Sequence, residues 1–270
     1  MANVSPLLST PGTTQMPTQG TDLKALTAEL GQAITNMHAR WKEAVAPIQE
    51  IWSTHRVEIA NFFVNVRESL AALPGDIESV SKSLAGRGWY IDSEMPITVL
   101  RPVLACFVEG REAEVDEFFV RHFSSRVESL QDQLLASYPL RSKPLTQAFA
   151  AHRSGQYELS IAVFLAQADG ICAQVLGGKL FQKRDGRPQV AKKLEAMDLP
   201  DSSGVFLSVL GLPGGICANE EFRVKFPNCL NRHEILHGID SNYGTEMNGW
   251  KAISLVGFVG LFASNLVQQA

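Results

Sequence analysis

The strongest constraint on this chain is a helical spacing of apolar residues along most of its length. Between residues 23 and 70 apolar side chains recur at three- and four-residue steps, which places them on one face of an α-helix that Pro47 must kink or break. The same spacing runs through residues 111–137 and ends at Pro139. Residues 156–176 are apolar on nearly all sides, so we expect that helix to be central. The sequence therefore predicts an all-α fold.

The composition indicates a folded protein with a small net charge. Of 270 residues, 45% are hydrophobic and 19% are charged, which is enough to bury a sizeable core. Lys plus Arg number 24 and Asp plus Glu number 28, so a net charge of -4 argues against a protein that coats nucleic acid through overall charge. The four cysteines have no CxxC spacing and indicate reduced, buried thiols.

The chain divides into three predicted parts. Residues 1–20 are rich in Pro, Ser, Thr, Gln and Gly, which predicts a disordered tail. Residues 21–137 are predicted to form a helical N-terminal region, and residues 138–270 a helical bundle domain. The tail has neither a basic nor an apolar segment of a secretory signal, so we expect a cytoplasmic protein. The uncharged run at 252–263 is shorter than the roughly 20 residues of a membrane span, and we expect a buried helix there.

Polar residues concentrate between positions 229 and 249, in CLNRHEILHGIDSNYGTEMNG. His233, Glu234 and His237 match the H-E-x-x-H pattern in which two histidines one helical turn apart bind zinc and the glutamate acts as a base. A catalytic zinc needs a third protein ligand, yet no histidine follows His237, and Gly238 ends the predicted helix. A zinc metalloprotease is therefore the less favoured interpretation of this segment.

The same residues resemble the R-x4-6-H motif of the HEPN superfamily, whose small helical domains occur in many ribonucleases, toxins and abortive-infection proteins. The block RHEILHG carries the resemblance, and the helix QYELSIAVFLAQADGI before it is similar to the polar-bearing helix of such proteins. The likeness covers about residues 140–270. It implies a metal-independent endoribonuclease of toxin or antiviral-defence type that needs no cofactor, with Arg232, His233 and His237 as catalytic residues. It also implies a homodimer in which two motifs meet, and an antitoxin or defence partner.

Arginine and histidine suit metal-independent RNA cleavage. Imidazole exchanges protons at cellular pH, and the guanidinium fork holds two phosphate oxygens. Because the 2′-hydroxyl is the nucleophile, the substrate must be RNA. On an ideal helix, however, Arg232 and His237 project about 140° apart, whereas His233 and His237 are only about 40° apart. We therefore expect Arg232 to lie in a non-helical first turn, or the site to be composite.

Further residues are predicted to support this site. Asp169 is a carboxylate in an otherwise apolar helix, so it should have a cationic or donor partner such as Arg232 or His237, unless it faces solvent at Gly170. Asn231, Glu234 and Tyr243 are the other supporting candidates, although Asn231 could instead cap the helix. A basic patch that could bind RNA phosphates, or could be a solvated face, consists of Lys179, Lys183, Arg184, Arg187, Lys192 and Lys193.

Overall fold

The computed structural model describes residues 75–197, 201–212, 215–218 and 225–268, together with residues 32, 35–37 and 39. The chain divides into two compact units, Met1–Glu68 and Ser69–Ala270. In the first unit the described positions are helical, and the Gln32 side chain donates a hydrogen bond to Asn36 one turn later (3.3 Å). The predicted tail, the Pro47 kink and most of the apolar stripe at 23–70 lie outside the described residues.

Helices make up most of the described part of the second unit, which confirms the predicted all-α class. The first, α1, covers residues 75–87. Those that follow are α2 (Leu100–Val108), α3 (Glu112–Ser137), α4 (Ser142–Arg153), α5 (Tyr157–Leu176), α6 (Gln189–Glu195), α7 (Asp201–Ser208), α8 (Arg232–Leu236), α9 (Glu246–Gly257) and α10 (Ser264–Gln268). Shorter 3-10 turns cover Ile97–Val99, Pro139–Arg141, Val209–Gly211 and Gly215–Cys217, and a π-helical turn, Phe258–Ala263, joins α9 to α10.

A two-stranded hairpin interrupts the helices after α5. Its strands, β1 (Lys183–Arg184) and β2 (Arg187–Pro188), are antiparallel, with Arg184 opposite Arg187. The two residues of the turn, Asp185 and Gly186, both have positive φ (55° and 78°), which is the geometry of the tight turn that matches strand twist. An Asp-Gly pair is typical of such a turn, whereas nothing in the sequence predicted the strands on either side.

Four helices form the centre of the second unit. Helix α3 packs against α4, α4 against α5, α5 against α9, and α9 against α3, so the four close into a bundle around a common core. The core contains large aromatic side chains, and Phe149 of α4 meets Phe164 of α5 edge to face with ring centroids 4.8 Å apart. Burial of each such side chain contributes about 1.5–3 kcal/mol to folding.

The boundary predicted between residues 137 and 138 lies inside this unit. Helix α3 ends there, but it packs on both α4 and α9. The hydroxyl of Tyr138, just after α3, donates a hydrogen bond to the carbonyl of Gly260 (2.8 Å). Helical spacing locates α3 in the sequence but does not show which helices it packs against. The two compact units of the chain meet between residues 68 and 69.

Buried and partly buried charged residues connect α1, α3 and α9. The carboxylate of Asp116 accepts hydrogen bonds from Arg87 Nε (2.8 Å) and Trp89 Nε1 (2.7 Å). Lys251 is 3% exposed, lies 5.8 Å from the centre of the Trp89 ring system, and donates to the carbonyl of Asn228. Burial lowers the pKa of Lys251, and the negative charge of Asp116 opposes that shift. This cluster fixes the start of the connection that leads to α8.

Two apolar helices deserve comparison with membrane spans. By length and composition alone, Tyr157–Leu176 and the continuous helical run Glu246–Val267 are sufficient to cross a bilayer. In Glu246–Val267, 78% of the most apolar 18-residue window is buried within the protein. Core helices of soluble proteins can have the same length and apolar composition. Residues 252–263, which the sequence predicted as a buried helix, are all buried except the half-buried Phe262.

Candidate active site

Helix α8 carries the candidate catalytic residues, and Asn231 determines where it begins. Asn231 has an extended backbone, and its side-chain oxygen accepts a hydrogen bond from the N–H of Glu234 (3.1 Å). Its side-chain amide donates to the carbonyl of Ala218 (2.9 Å), and the residue is 2% exposed. Asn231 therefore caps α8 and attaches it to the turn Gly215–Cys217, and its side chain is not available to a phosphate.

The two histidines of the motif lie together on the surface, as their spacing predicted. The rings of His233 and His237 have centroids 4.4 Å apart, and both residues are exposed. The helix ends directly after them, because Gly238 adopts a left-handed backbone (φ 70°) and the N–H of Ile239 turns back to the carbonyl of Glu234 (2.8 Å). The imidazole pair therefore stands at an exposed helix end, where a solvent-borne substrate can reach it.

Arg232 points to a different side of α8 from the histidine pair. Its guanidinium carbon lies 5.5 Å from the centroid of the Phe181 ring, which is the geometry of a cation–π contact. Its Nε is buried and has no hydrogen-bond partner, and no ion pair or hydrogen bond joins its side chain to any part of the chain that the structure describes. Within the described residues no hydrogen bond or cation–π contact links the Arg232 side chain to His233 or His237, and Arg232 and His237 project about 140° apart on an ideal helix.

Asp169 has a donor partner, but not one of the two that the sequence suggested. Its carboxylate accepts a hydrogen bond from the backbone N–H of Phe181 (2.9 Å) rather than from Arg232 or His237. Asp169 and Arg232 thus contact the same residue, through the backbone N–H and the ring of Phe181 respectively. Phe181 is the site residue that sequence reasoning missed, and its position between Lys179 and Lys183 of the basic patch was the available signal.

Of the other supporting candidates, Glu234 lies in α8 and Tyr243 lies in the loop that follows α8. Glu234 lies in the first turn, where a carboxylate interacts favourably with the helix dipole. The hydroxyl of Tyr243 donates to the carbonyl of Glu158 (3.1 Å), and its own carbonyl accepts from the side-chain amide of Asn248 (2.9 Å). The Tyr243 side chain thus anchors the loop after α8 to the first turn of α5.

The predicted basic patch is exposed and lies on the hairpin and the ends of its neighbours. Two of its six cations have acidic partners, since Lys192 pairs with Asp185 and Arg187 pairs with Glu195 (2.7 Å). The other four form no ion pair with any residue in the described ranges: Lys179, Lys183, Arg184 and Lys193. The patch therefore retains unpaired positive charge at the hairpin strand β1.

The thiol of Cys217 shows that the patch and Arg232 are neighbours. Its Sγ donates to the carbonyl of Leu180 (3.5 Å), the residue before Phe181. Burial raises the pKa of Cys217 to about 12, while the charges of Lys183 and Arg232 both oppose that shift. Lys183 follows Phe181 by two residues, and the Phe181 ring contacts Arg232, so this end of the patch lies close to α8.

Zinc chemistry lacks a third ligand in this region. Across residues 75–197, 201–212, 215–218 and 225–268, no group of three or more His, Cys, Asp or Glu is placed to hold a metal ion. Asp240, one of the two acids that follow His237 in the sequence, accepts a hydrogen bond from the N–H of Asn242 (2.8 Å). Among the described residues, the H-E-x-x-H spacing is therefore present without a third ligand that would complete a zinc site.

Comparisons of this chain with protein-family models, with curated proteins and with solved structures found no match.

Proposed function

We propose that this chain is a metal-independent endoribonuclease of toxin or antiviral-defence type, with a HEPN-like domain that cleaves RNA. One observation carries the proposal: the guanidinium of Arg232 has no acidic partner among the described residues, and the next residue begins an exposed pair of imidazoles. A cation without a counter-charge suits a phosphate ligand, and two adjacent imidazoles suit proton transfer. The protein would act in the cytoplasm under the control of an antitoxin or defence partner.

The proposed reaction uses the two imidazoles in turn. One of them removes the proton of the RNA 2′-hydroxyl, whose oxygen then attacks the adjacent phosphorus. The bond from phosphorus to the 5′-oxygen breaks, and an imidazolium returns a proton to that oxygen. The products are a 2′,3′-cyclic phosphate and a 5′-hydroxyl end. His237 is the principal acid–base group, His233 shares its proton, and Arg232 stabilises the charge that develops on the phosphate oxygens.

Divergence of Arg232 from the imidazoles supports a composite site made by two copies of the chain. Leu236 and Ile239 flank His237, and both are exposed (41% and 65%). Exposed apolar side chains next to the motif favour a contact with a second copy. In such a homodimer the imidazoles of one protomer would complete a site with the guanidinium of the other, and the basic patches would guide RNA toward it.

The decisive experiment is an RNA cleavage assay in the presence of EDTA. We expect wild-type protein to cleave, and His237→Ala and Arg232→Ala each to lower the rate by about 100-fold or more, which is the usual contribution of a proton-transfer group or a charge-stabilising donor. His233→Ala should have a smaller effect. Arg153→Ala is the matched control, because Arg153 is an exposed arginine whose guanidinium contacts only Gln131 among the described residues.

Unchanged melting temperatures would show that the variants fold. Full cleavage by both His237→Ala and Arg232→Ala would overturn the assignment, as would cleavage that EDTA abolishes.

A non-catalytic HEPN-like module that binds RNA or protein is the second candidate. The packing of Arg232 onto Phe181, away from the imidazoles, favours it. Its signature would be RNA binding without turnover and cell toxicity that His237→Ala leaves unchanged. A zinc metalloprotease is the third candidate, and it would require stoichiometric zinc that is lost in His233→Ala.

A further inference from the structure

A cavity of about 310 Å³ lies in the second unit, between α1 and the turns Val209–Gly211 and Gly215–Cys217. Most of its walls are apolar side chains, among them Leu180, Leu210 and Ile216. Small-molecule sites in proteins are typically clefts of about 300–1,000 Å³ lined mainly by hydrophobic and aromatic side chains. The cavity therefore has the size and lining of a binding site for a small compound.

The lining runs from the protein surface into the core. Lys82 and Lys225 line the cavity at exposed positions, and Leu212 is half-buried. Leu180 and Leu210, which also line it, are each 1% exposed. A compound can therefore enter from solvent and reach walls to which water cannot hydrogen-bond.

The two lysines of the lining have partners of their own. The ammonium of Lys82 pairs with Glu78 on the surface, where both side chains are about half exposed. Lys225 also interacts with another group of the protein. Neither lysine therefore supplies a free charge that would hold an acidic compound in the cavity.

Polar atoms of the apolar walls are also used within the protein. The Sγ of Cys217 donates to the carbonyl of Leu180 (3.5 Å), and both residues line the cavity. The carbonyl of Ala85 accepts a hydrogen bond from the N–H of Gly88 (3.1 Å). The carbonyl of Gly215 accepts one from the N–H three residues later (3.0 Å). These groups are not available to a ligand.

Among the described lining residues, no buried side-chain nitrogen or oxygen lacks a hydrogen-bond partner. The residues of the described chain that do have such an atom lie elsewhere: Ser81, Arg126, His152 and Arg232. A charged group placed in the cavity would lose its hydration without gaining a partner, which is costly. The walls therefore select a neutral, apolar ligand.

Two aromatic rings, those of Tyr90 and Phe226, belong to the walls. The Tyr90 ring packs against the ring of Phe258, with centroids 5.7 Å apart. The backbone N–H of Tyr90 donates to the hydroxyl of Ser254 (3.3 Å), so the residue is held in position. Aromatic rings attract further rings in edge-to-face or offset-stacked geometry, and these walls therefore favour an aromatic ligand.

We propose that this cavity binds a neutral aromatic compound of about two fused rings. An engineered apolar cavity of about 150 Å³ binds benzene, and this cavity has about twice that volume. Naphthalene is the simplest compound of this class. The site is independent of the proposed ribonuclease activity, because none of its described lining residues belongs to the candidate catalytic set.

Calorimetric titration of the full chain with naphthalene, in the absence of RNA, tests the proposal. Naphthoate and naphthylmethylammonium carry the same rings with an anionic and a cationic group, and pyrene is a larger fused-ring hydrocarbon. We expect naphthalene to bind at least about tenfold more tightly than either ion, and pyrene not to bind. No binding of naphthalene would overturn the proposal, as would binding of either ion or of pyrene with equal or higher affinity.

A variant that fills the cavity locates the binding. A Cβ atom at Gly86, a lining residue, would meet only the Phe226 ring at an ordinary distance (3.5 Å), so Gly86→Leu fills space without backbone strain and should abolish naphthalene binding. Gly204→Leu is the matched control, because Gly204 is a helical glycine outside the lining, and it should bind naphthalene with wild-type affinity. Wild-type affinity in a folded Gly86→Leu would contradict the proposal.

A variant that enlarges the cavity gives the opposite result. Leu212→Ala removes a half-buried side chain from the wall and should allow pyrene to bind. Leu159→Ala makes the same change at a leucine that is 61% exposed and outside the lining, and it should exclude pyrene as the wild type does. Exclusion of pyrene by Leu212→Ala would place the binding elsewhere. If Gly86→Leu does not fold, this comparison decides the question alone.

Discussion

Histidine side chains occupy three kinds of surroundings in the described part of this chain. His233 and His237 are exposed. His122 forms a 2.7 Å contact with the buried carboxylate of Asp92, which also accepts a hydrogen bond from Arg126 (2.6 Å). His152 is 4% exposed, and its ring lies edge to face with Trp250 (4.3 Å between centroids). Burial lowers the pKa of His152 to about 4, so this histidine is neutral in the folded protein at ordinary pH.

The His152 imidazole makes folding stability depend on pH in a defined range. Between about pH 6.5 and pH 4 the unfolded chain protonates this residue and the folded chain does not, so the free energy of unfolding should decrease as pH falls through that range. Urea unfolding of wild type and His152→Leu at pH 7, 5.5 and 4.5 measures this. The variant should lose less stability than wild type over these steps, and parallel pH profiles would show that His152 does not contribute.

The role of a residue could be predicted from the sequence where that role depends on residues a few positions away. The caps Asn231 and Thr245 each accept a hydrogen bond from a residue three positions later, and asparagine and threonine are residue types that favour this position. The cation–π contact of Arg232 joins residues 51 positions apart, so no sequence pattern predicts it. What a side chain contacts across the fold is a tertiary property that periodicity does not contain.

Glycines allow helix α9 to approach its neighbours closely. A Cβ atom at Gly249 would lie 2.6 Å from the ring of His152, and one at Gly257 would lie 2.9 Å from Leu130 of α3. Both positions are buried, so the neighbouring side chains have little room to move. These contacts explain why an apolar helix with several glycines is central to the bundle.

Substitution of Gly249 should therefore be unfavourable in spite of the higher helix propensity of alanine. We expect Gly249→Ala to lower the free energy of unfolding by about 1–3 kcal/mol through overpacking against His152 and Tyr157. Gly204→Ala is the control, because nothing lies within 4 Å of a Cβ there, and it should be neutral or stabilising by up to about 1 kcal/mol. Chemical denaturation of the two variants measures the difference, and equal stabilities would refute this explanation.

The hairpin and its flanks should account for the salt dependence of RNA binding. Each phosphate contact contributes a slope of about 0.7 in log K against log salt for single strands. Lys183→Ala combined with Arg184→Ala should therefore lower the slope by about 1.4 with 2′-O-methyl RNA, which cannot be cleaved. Arg187→Ala with Lys192→Ala should change it less, because those side chains already pair with Glu195 and Asp185. If the second pair of substitutions lowered the slope more than the first pair, RNA would bind elsewhere on the protein.

Helix positions were largely predictable from the sequence, whereas the hairpin was not. The expected helix at 111–137 is Glu112–Ser137, and that at 156–176 is Tyr157–Leu176, because long periodic segments specify their own secondary structure. Strands of two residues are too short to show alternation, so only the Asp185–Gly186 turn left a signal.

The proposed composite site predicts the oligomeric state of the molecule. On the proposed composite site, wild-type protein should be a dimer at micromolar concentration, and Ile239→Asp should be monomeric and inactive on RNA. Leu140→Asp places the same charge at a fully exposed apolar residue away from α8 and should remain dimeric. Sedimentation velocity distinguishes these outcomes, and a monomeric wild type or a dimeric Ile239→Asp would contradict the composite site.

Phe181 links two regions of the proposed site, the hairpin and Arg232. Its N–H is bound by Asp169, its ring carries Arg232, and it lies two residues before β1. If the hairpin moved when it bound an RNA strand, the Phe181 ring would move with it. The ring is the surface that the Arg232 guanidinium contacts. Oligonucleotides long enough to reach the hairpin would then turn over faster at saturation than dinucleotides, since the shorter molecules cannot drive this adjustment.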